Sequence, residues 1–158
     1  MISSAEFSQD RSLRFVLTRI WDIKKEIVCY IGLNPSNADD ISNDPTVKKL
    51  IQISRYNNIG GFHLINLYPY ITSDPIKLQG KMKDGRARNL LLIQEFTKQN
   101  KTICIWGNHA TKDGFVEAVL KLLKGGSHCL RTNKTGMPSH PLYLPTKTKF
   151  EAYKKVPL

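Results

Sequence analysis

A chain of 158 residues with 41% hydrophobic and 9% aromatic content is long enough for one well-buried core, too short for two full domains and too apolar for wholesale disorder, so residues 1–158 are read as a single domain. No apolar run approaches the roughly 20 residues of a membrane span, and the opening Met1-Ile-Ser-Ser-Ala-Glu-Phe lacks a basic-then-apolar export signal; a cytoplasmic protein with no membrane association is the expectation. A net charge of +11, from 24 Lys and Arg against 13 Asp and Glu, favours a polyanionic partner through counterion release, nucleic acid first and DNA among nucleic acids.

The basic excess is concentrated late. After Glu117 come Lys121, Lys124, Arg131, Lys134, Lys147, Lys149, Lys154 and Lys155 against Glu151 alone. Three cysteines, Cys29, Cys104 and Cys129, are odd in number and far apart, without the close spacing of a zinc site and too few for an iron–sulfur cluster. No metal and no cofactor is expected, and the chain is taken as a monomer.

In chain order, Arg11 to Trp21 sets Leu13, Phe15 and Leu17 at alternate positions with Arg14, Val16 and Thr18 between them. This period of two predicts an opening edge strand or hairpin. Arg11, Arg14 and Arg19 then sit on a solvated edge that discourages aggregation, within reach of phosphate. Ile27-Val-Cys-Tyr-Ile-Gly-Leu-Asn-Pro-Ser36 is an uninterrupted apolar run, the signature of a strand buried on both faces in a parallel sheet. It stops in a polar elbow: Gly32 allows close backbone approach, Asn34 offers a donor and an acceptor, and Pro35 ends the strand. Ligands in open α/β sheets gather beyond the carboxyl ends of the strands, which makes Gly32, Leu33, Asn34, Pro35 and Ser36 a candidate site.

Asn37 to Thr46 is a polar loop with Asp39, Asp40 and Asp44. Asp44-Pro45-Thr46 reads as a helix start, with Asp44 as N-cap and Pro45 at the first helical position. Val47, Leu50, Ile51 and Ser54 share a face of that helix, which ends near Asn57-Asn58. Phe62 to Tyr70 is the second buried strand, and Asn66 is its anomaly, since a buried carboxamide must find partners or cost roughly 1–3 kcal/mol. Thr72 to Arg88 reads as a long polar, phosphate-facing loop. Asn89 to Asn100 fits a helix with Leu91, Leu92, Glu95 and Phe96 inward. Thr102-Ile-Cys-Ile-Trp106 is a third strand, closed by Gly107-Asn108-His109. Gly114 to Lys124 is a helix stopped by Gly125-Gly126, and Ser127 to Arg131 is a fourth short strand. His140-Pro-Leu-Tyr-Leu-Pro145 is a proline-stiffened loop whose apolar side chains either wedge into a base stack or pack as an arm on the sheet edge.

Four strand ends in this order resemble the uracil-DNA glycosylase superfamily. Ile31-Gly-Leu-Asn-Pro35 looks like the Gly-Ile-Asn-Pro-Gly motif of its mismatch-specific members, and Leu64-Ile-Asn66 like the strand whose asparagine reads the uracil edge. Trp106-Gly-Asn-His-Ala-Thr-Lys112 is close to a Trp-Gly-Ser-His-Ala-Gln-Lys stretch, and His140-Pro-Leu is similar to a His-Pro-Ser loop with an intercalating leucine. Over nearly the whole chain the sequence also resembles an uncharacterised bacterial family, domain of unknown function 1643, marked by Gly-Leu-Asn-Pro-Ser, Asp-Pro-Thr-Val and His-Pro-Leu-Tyr-Leu-Pro.

The resemblance implies a three-layer α/β/α fold with a central, mostly parallel four-stranded sheet, and recognition of a base in nucleic acid with N-glycosidic cleavage. By resemblance, Asn34 positions the attacking water, His140 donates to the departing base, and Asn66 bonds the base edge, helped by Asn108 and His109. Tyr30 or Phe62 supplies an aromatic wall, Leu142 or Leu144 fills the vacated stack, and Lys112 and Lys147 face DNA. Asn34 stands in place of the aspartate of the fastest members, and an amide is no general base, so slow hydrolysis is the most this pattern implies. Ser36 stands in place of a glycine and Leu142 in place of a serine; Asp39 or Asp40 is left to supply a carboxylate. The rival readings are a non-catalytic nucleic-acid-binding module and an enzyme acting on free nucleotides.

Overall fold

The computed structural model describes residues 1–123 and 126–154. The expected helix end at Lys124, the first glycine of its Gly125-Gly126 stop and the basic Lys155 lie outside the described residues. The elements in chain order are β1 (Ile2–Phe7), β2 (Arg14–Ile20), β3 (Ile27–Gly32), α1 (Pro45–Tyr56), β4 (Gly61–Asn66), α2 (Pro75–Gln79), α3 (Arg86–Gln99), β5 (Lys101–Cys104), α4 (Phe115–Leu122), β6 (His128–Cys129), a 3-10 turn at Pro141–Tyr143 and β7 (Glu151–Ala152).

The fold is α/β. A seven-stranded mixed sheet has the order β1-β2-β4-β3-β5-β6-β7, wider than the four strands expected from sequence. β3 pairs parallel with β4 and with β5, and β5 parallel with β6; β1, β2 and β7 join antiparallel. The apolar run of β3 alternates between the two faces, as a strand must. Val28 and Tyr30 belong to a cluster with Val47, Leu50 and Ile53 of α1. Cys29 and Ile31 belong to a second cluster with Leu92 and Ile93 of α3 and Phe115, Val116 and Val119 of α4. Helices on both faces explain why β3 carries no charged side chain.

Inside the first cluster the Tyr30 hydroxyl is 2.8 Å from Ser54 Oγ, and burial pushes its ionisation upward. Tyr30→Phe strands the Ser54 hydroxyl and is expected to cost about 1–2 kcal/mol, read as a lower urea midpoint. An unchanged midpoint would contradict that pairing.

Of the two sequence readings of the N-terminal strand, edge strand or hairpin, the structure shows a hairpin with β1 as its first arm and corrects the edge. β2 is not an edge: β1 pairs with it from Ile2↔Ile20 to Phe7↔Arg14, and β4 flanks its other side. Arg14 and Arg19 are consequently 2% and 0% exposed rather than solvated. Arg19 donates to the carbonyls of Asp39 (2.5 Å) and Ser42 (3.1 Å) and to Asn43 Oδ1 (2.9 Å), pinning the loop before α1.

Two helical readings also shift. The polar segment from Thr72 contains α2, capped by Asp74, and runs into α3 at Arg86. On α3 the inward residues are Asn89, Leu92 and Ile93, spaced three and four apart as one helical face requires. Leu91 points outward, 65% exposed.

Candidate functional site

The sheet's register builds the site. Gly32 and Asn66, the last residues of β3 and β4, are directly paired, so the elbow after β3 and the carboxamide of β4 lie side by side at the carboxyl ends of both strands. The backbone amides of Leu67 and Tyr68 donate to the carbonyls of Gly32 and Leu33 (2.8 and 3.0 Å), binding the two exits together. Between them lies a cavity of about 90 Å³ lined by Gly32, Leu33, Asn34, Pro35, Ser36, Asn66 and His140, together with Arg14, Asp44, Thr46, Leu64 and Ile105. Three residues remote in sequence, Asn34, Asn66 and His140, therefore share one cavity.

Asn66 is 3% exposed, and its Nδ2 finds no acceptor among the described residues. A buried amide N–H without a partner is costly, about 1–3 kcal/mol, and native proteins rarely leave one. Its Oδ1 packs so closely on Gly32 that a Cβ there would lie 2.5 Å away. Gly32 is thus required by the Asn66 side chain, a reason more specific than the close ligand approach read from the sequence. Asn89 on α3 holds the strand end from behind, its Nδ2 donating to the carbonyls of Asn66 (2.7 Å) and Leu67 (3.3 Å).

Asn34 is used differently. Its Nδ2 donates to the carbonyls of Thr72 (2.7 Å), Pro35 (3.1 Å) and Tyr70 (3.4 Å), which ties the elbow to the segment after β4. The amide nitrogen is committed to backbone, and Oδ1 is the atom left to accept from a ligand or water.

His140 precedes the 3-10 turn and caps it: the Leu142 N–H donates to Nδ1 at 3.3 Å. That bond needs an unprotonated Nδ1, so the neutral ring carries its proton on Nε2, available as a donor. Burial lowers the His140 pKa from 6.5, with the Asp44 charge opposing. Because the folded value is the lower one, the folded chain binds fewer protons than the unfolded chain as pH falls below 6.5, and stability declines through that window. An NMR titration is expected to place the His140 midpoint below 6.5; a midpoint at or above it would contradict the half-buried neutral ring.

Among the lining residues that sequence reasoning missed, two are charged. Asp44, taken only as the N-cap, accepts from Val47 N (2.9 Å) on Oδ1 and from Ser36 Oγ (2.8 Å) and Ala38 N (3.3 Å) on Oδ2. Burial raises its pKa, but these bonds and the Arg14 charge outweigh it and the net shift is downward. Asp44, rather than Asp39 or Asp40, is the carboxylate of the cavity wall. Asp39 accepts from Ile41 N, Ser42 N and Ser42 Oγ, and the two backbone donors lead in lowering its pKa to about 2. Arg14 is the second omission. For Arg14 the signal was an arginine opening a run of buried β2 positions, legible only once β1 is known to cover β2; for Asp44 the capping role on α1 masked it.

The other candidates divide. The inner cavity adjoins two outer spaces of about 280 and 530 Å³. His109 and Leu142 line both, and Asn108 and Tyr143 line the larger. Asn108 Oδ1 accepts from Thr135 Oγ1 (2.6 Å) and Asn133 Nδ2 (2.9 Å), bracing neighbouring loops. Gly107, at φ +75°, turns the chain out of the β5 end and would set a Cβ 3.5 Å from His140 Cβ. Leu142 is 45% and Tyr143 86% exposed at the mouth, but Leu144 is 5% exposed and packed in the α1 cluster. Leu144 cannot serve as a wedge without leaving that core; its carbonyl accepts from Lys49 Nζ at 2.6 Å. Lys112 and Lys147 are exposed and lie outside the linings of these three spaces. Tyr30 and Phe62 are fully buried against α1 and form no wall of the cavity.

No group of three or more His, Cys, Asp or Glu side chains suited to a metal ion occurs among the described residues, and no helix among them is long and apolar enough to cross a membrane. The family model described as "Protein of unknown function (DUF1643)" matches residues 14–142, and the chain belongs to that family. No curated protein and no solved structure matches the chain.

Proposed function

We propose that this member of the DUF1643 family recognises a heterocyclic base of nucleic acid, received in the cavity at the ends of β3 and β4 after leaving its stack. The observation that carries this reading is the buried, unpartnered Asn66 Nδ2 in a cavity shared with Asn34 and His140. An edge-on ring with a hydrogen-bond acceptor would satisfy that amide. The net charge of +11 supports a phosphate-bearing carrier, and the exposed Leu142 and Tyr143 at the mouth supply apolar surface to occupy the gap in the stack. The parallel run β4-β3-β5-β6 with helix-packed clusters on both faces supports the finer reading of a three-layer, glycosylase-like domain.

The same groups suit N-glycosidic hydrolysis. Cleavage leaves an electron pair on the base nitrogen and an electron-poor C1′; water adds to C1′, and its proton passes to solvent. His140 Nε2–H would stabilise charge developing on the base, and Asn34 Oδ1 would orient the water. Asp44, with its carboxylate engaged three times, is a poor base, so turnover is slow.

The test is release of free base from single- and double-stranded oligonucleotides carrying uracil and other altered bases, with binding measured at several salt concentrations. Base release that is lost in Asn34→Ala and His140→Ala supports the glycosylase. Salt-dependent, base-selective binding without release supports recognition alone. Turnover of free nucleotides with no oligonucleotide affinity would overturn the nucleic-acid reading.

A further inference from the structure

We propose that the inner cavity accepts an acidic oxo-heterocycle as its anion, with Arg14 receiving the negative charge; this rests on the base-recognition reading and names its substrate class. Arg14 is a cation sealed at 2% exposure in the wall of the cavity that Asn66 lines. Its guanidinium offers five N–H donors. Nη1 donates to the Ala38 carbonyl at 2.9 Å, whereas Nε has no acceptor among the described residues.

The surrounding charges leave Arg14 under-compensated. Asp44 is the nearby anion, and its oxygens are already occupied by Val47 N, Ser36 Oγ and Ala38 N. Arg19 adds a second positive charge close enough to act on Arg14, and a neutral His140 adds none. A buried cation with an unfilled donor is unfavourable unless something brings negative oxygen to it. Arg14 is also fixed in place: its backbone N–H donates to the Pro69 carbonyl at 2.9 Å, on the segment that follows Asn66. Arg14 and Asn66 line one cavity, and each carries a buried donor without an acceptor among the described residues, Nε and Nδ2. They match a ring edge that presents acceptors and clash with one that presents an amino group.

Rings of nearly equal shape and increasing N–H acidity test this: uracil, 5-fluorouracil and 6-azauracil, titrated against the full chain by calorimetry at neutral pH. Uracil and 5-fluorouracil are also placed in otherwise identical single-stranded oligonucleotides. A charge-assisted bond to Arg14 is expected to make 6-azauracil bind about 10- to 100-fold more tightly than uracil. Arg14→Gln is expected to flatten the series, and Arg14→Lys, which keeps charge without the planar donors, to retain part of it. The wild-type series decides alone if the glutamine variant does not fold. A gradient in either set supports the proposal, and the set with the steeper gradient identifies free base or base in nucleic acid as the carrier. Equal affinity across the series, or an undiminished gradient in folded Arg14→Gln, overturns the charge assignment and leaves base recognition standing. Failure of every ring and oligonucleotide to bind overturns both.

Discussion

Gly32→Ala is expected to weaken base binding roughly 10- to 100-fold while the protein stays folded. The new methyl would sit 2.5 Å from Asn66 Oδ1 and 3.6 Å from both Asn66 Cγ and Leu64 Cδ1. The clash is with one side chain, and Gly32 has no positive φ to forbid alanine. Relief comes by turning the Asn66 carboxamide, which displaces the unpartnered Nδ2 of this cavity-lining residue. Overpacking of this kind typically costs about 1–3 kcal/mol of stability, comparable in size to the binding loss and small beside the stability of a domain of this size. Urea melts and oligonucleotide titrations separate the two effects. Full-strength binding in a folded Gly32→Ala protein would show that the Asn66 amide is not what holds the base.

Asp44→Ala is expected to be the most damaging single change to stability, at about 3–5 kcal/mol. It removes the cap of α1, strands the Ser36 hydroxyl and the Ala38 N–H, and deprives buried Arg14 of its nearest opposing charge. Domains of this size are stable by about 5–15 kcal/mol, so the variant sits near the edge of folding. Asp44→Asn keeps acceptor capacity for the cap and isolates the charge. The folded Asp44 carboxyl lies below its ordinary value of 3.8, so its contribution is complete above that value and disappears as pH falls through the lower, folded one. Between pH 5 and pH 2 the wild-type protein should therefore lose more stability than Asp44→Asn. Parallel melting curves across that range would contradict the role given to the carboxylate.

The parts of the fold written in local apolar pattern were legible in the sequence. β3, the Asp44-Pro45 start of α1, β4 and the helix of α4 follow from runs, periods and caps. β1 was not, because Ile2-Ser-Ser-Ala-Glu-Phe7 carries little apolar signal and is ordered by its partner. Missing it turned β2 into an edge and left Arg14 and Arg19 in solvent, when both are buried. The site divided in the same way. Asn34 and Asn66 could be singled out because each is polar at the end of an apolar strand, and His140 because its His-Pro-Leu loop carries a resemblance. Arg14 and Asp44 could not, since one looked like an edge charge and the other already had a helix to cap. Leu142 and Leu144 are two positions apart in one loop, and only the packing of Leu144 under α1 distinguishes the exposed residue from the core one.

The central claim is that the Asn66 side chain awaits a ring. Side-chain amide NMR on uniformly ¹⁵N-labelled protein, assigned by comparison with Asn66→Asp, reads that group directly during titration with a base-bearing oligonucleotide and with the same oligonucleotide carrying an abasic site. The account predicts a downfield shift and slowed hydrogen exchange of the Asn66 Nδ2 protons with the base present and neither with the abasic strand. An Asn66 signal that stays unmoved while surface amides respond alike to both strands would contradict it.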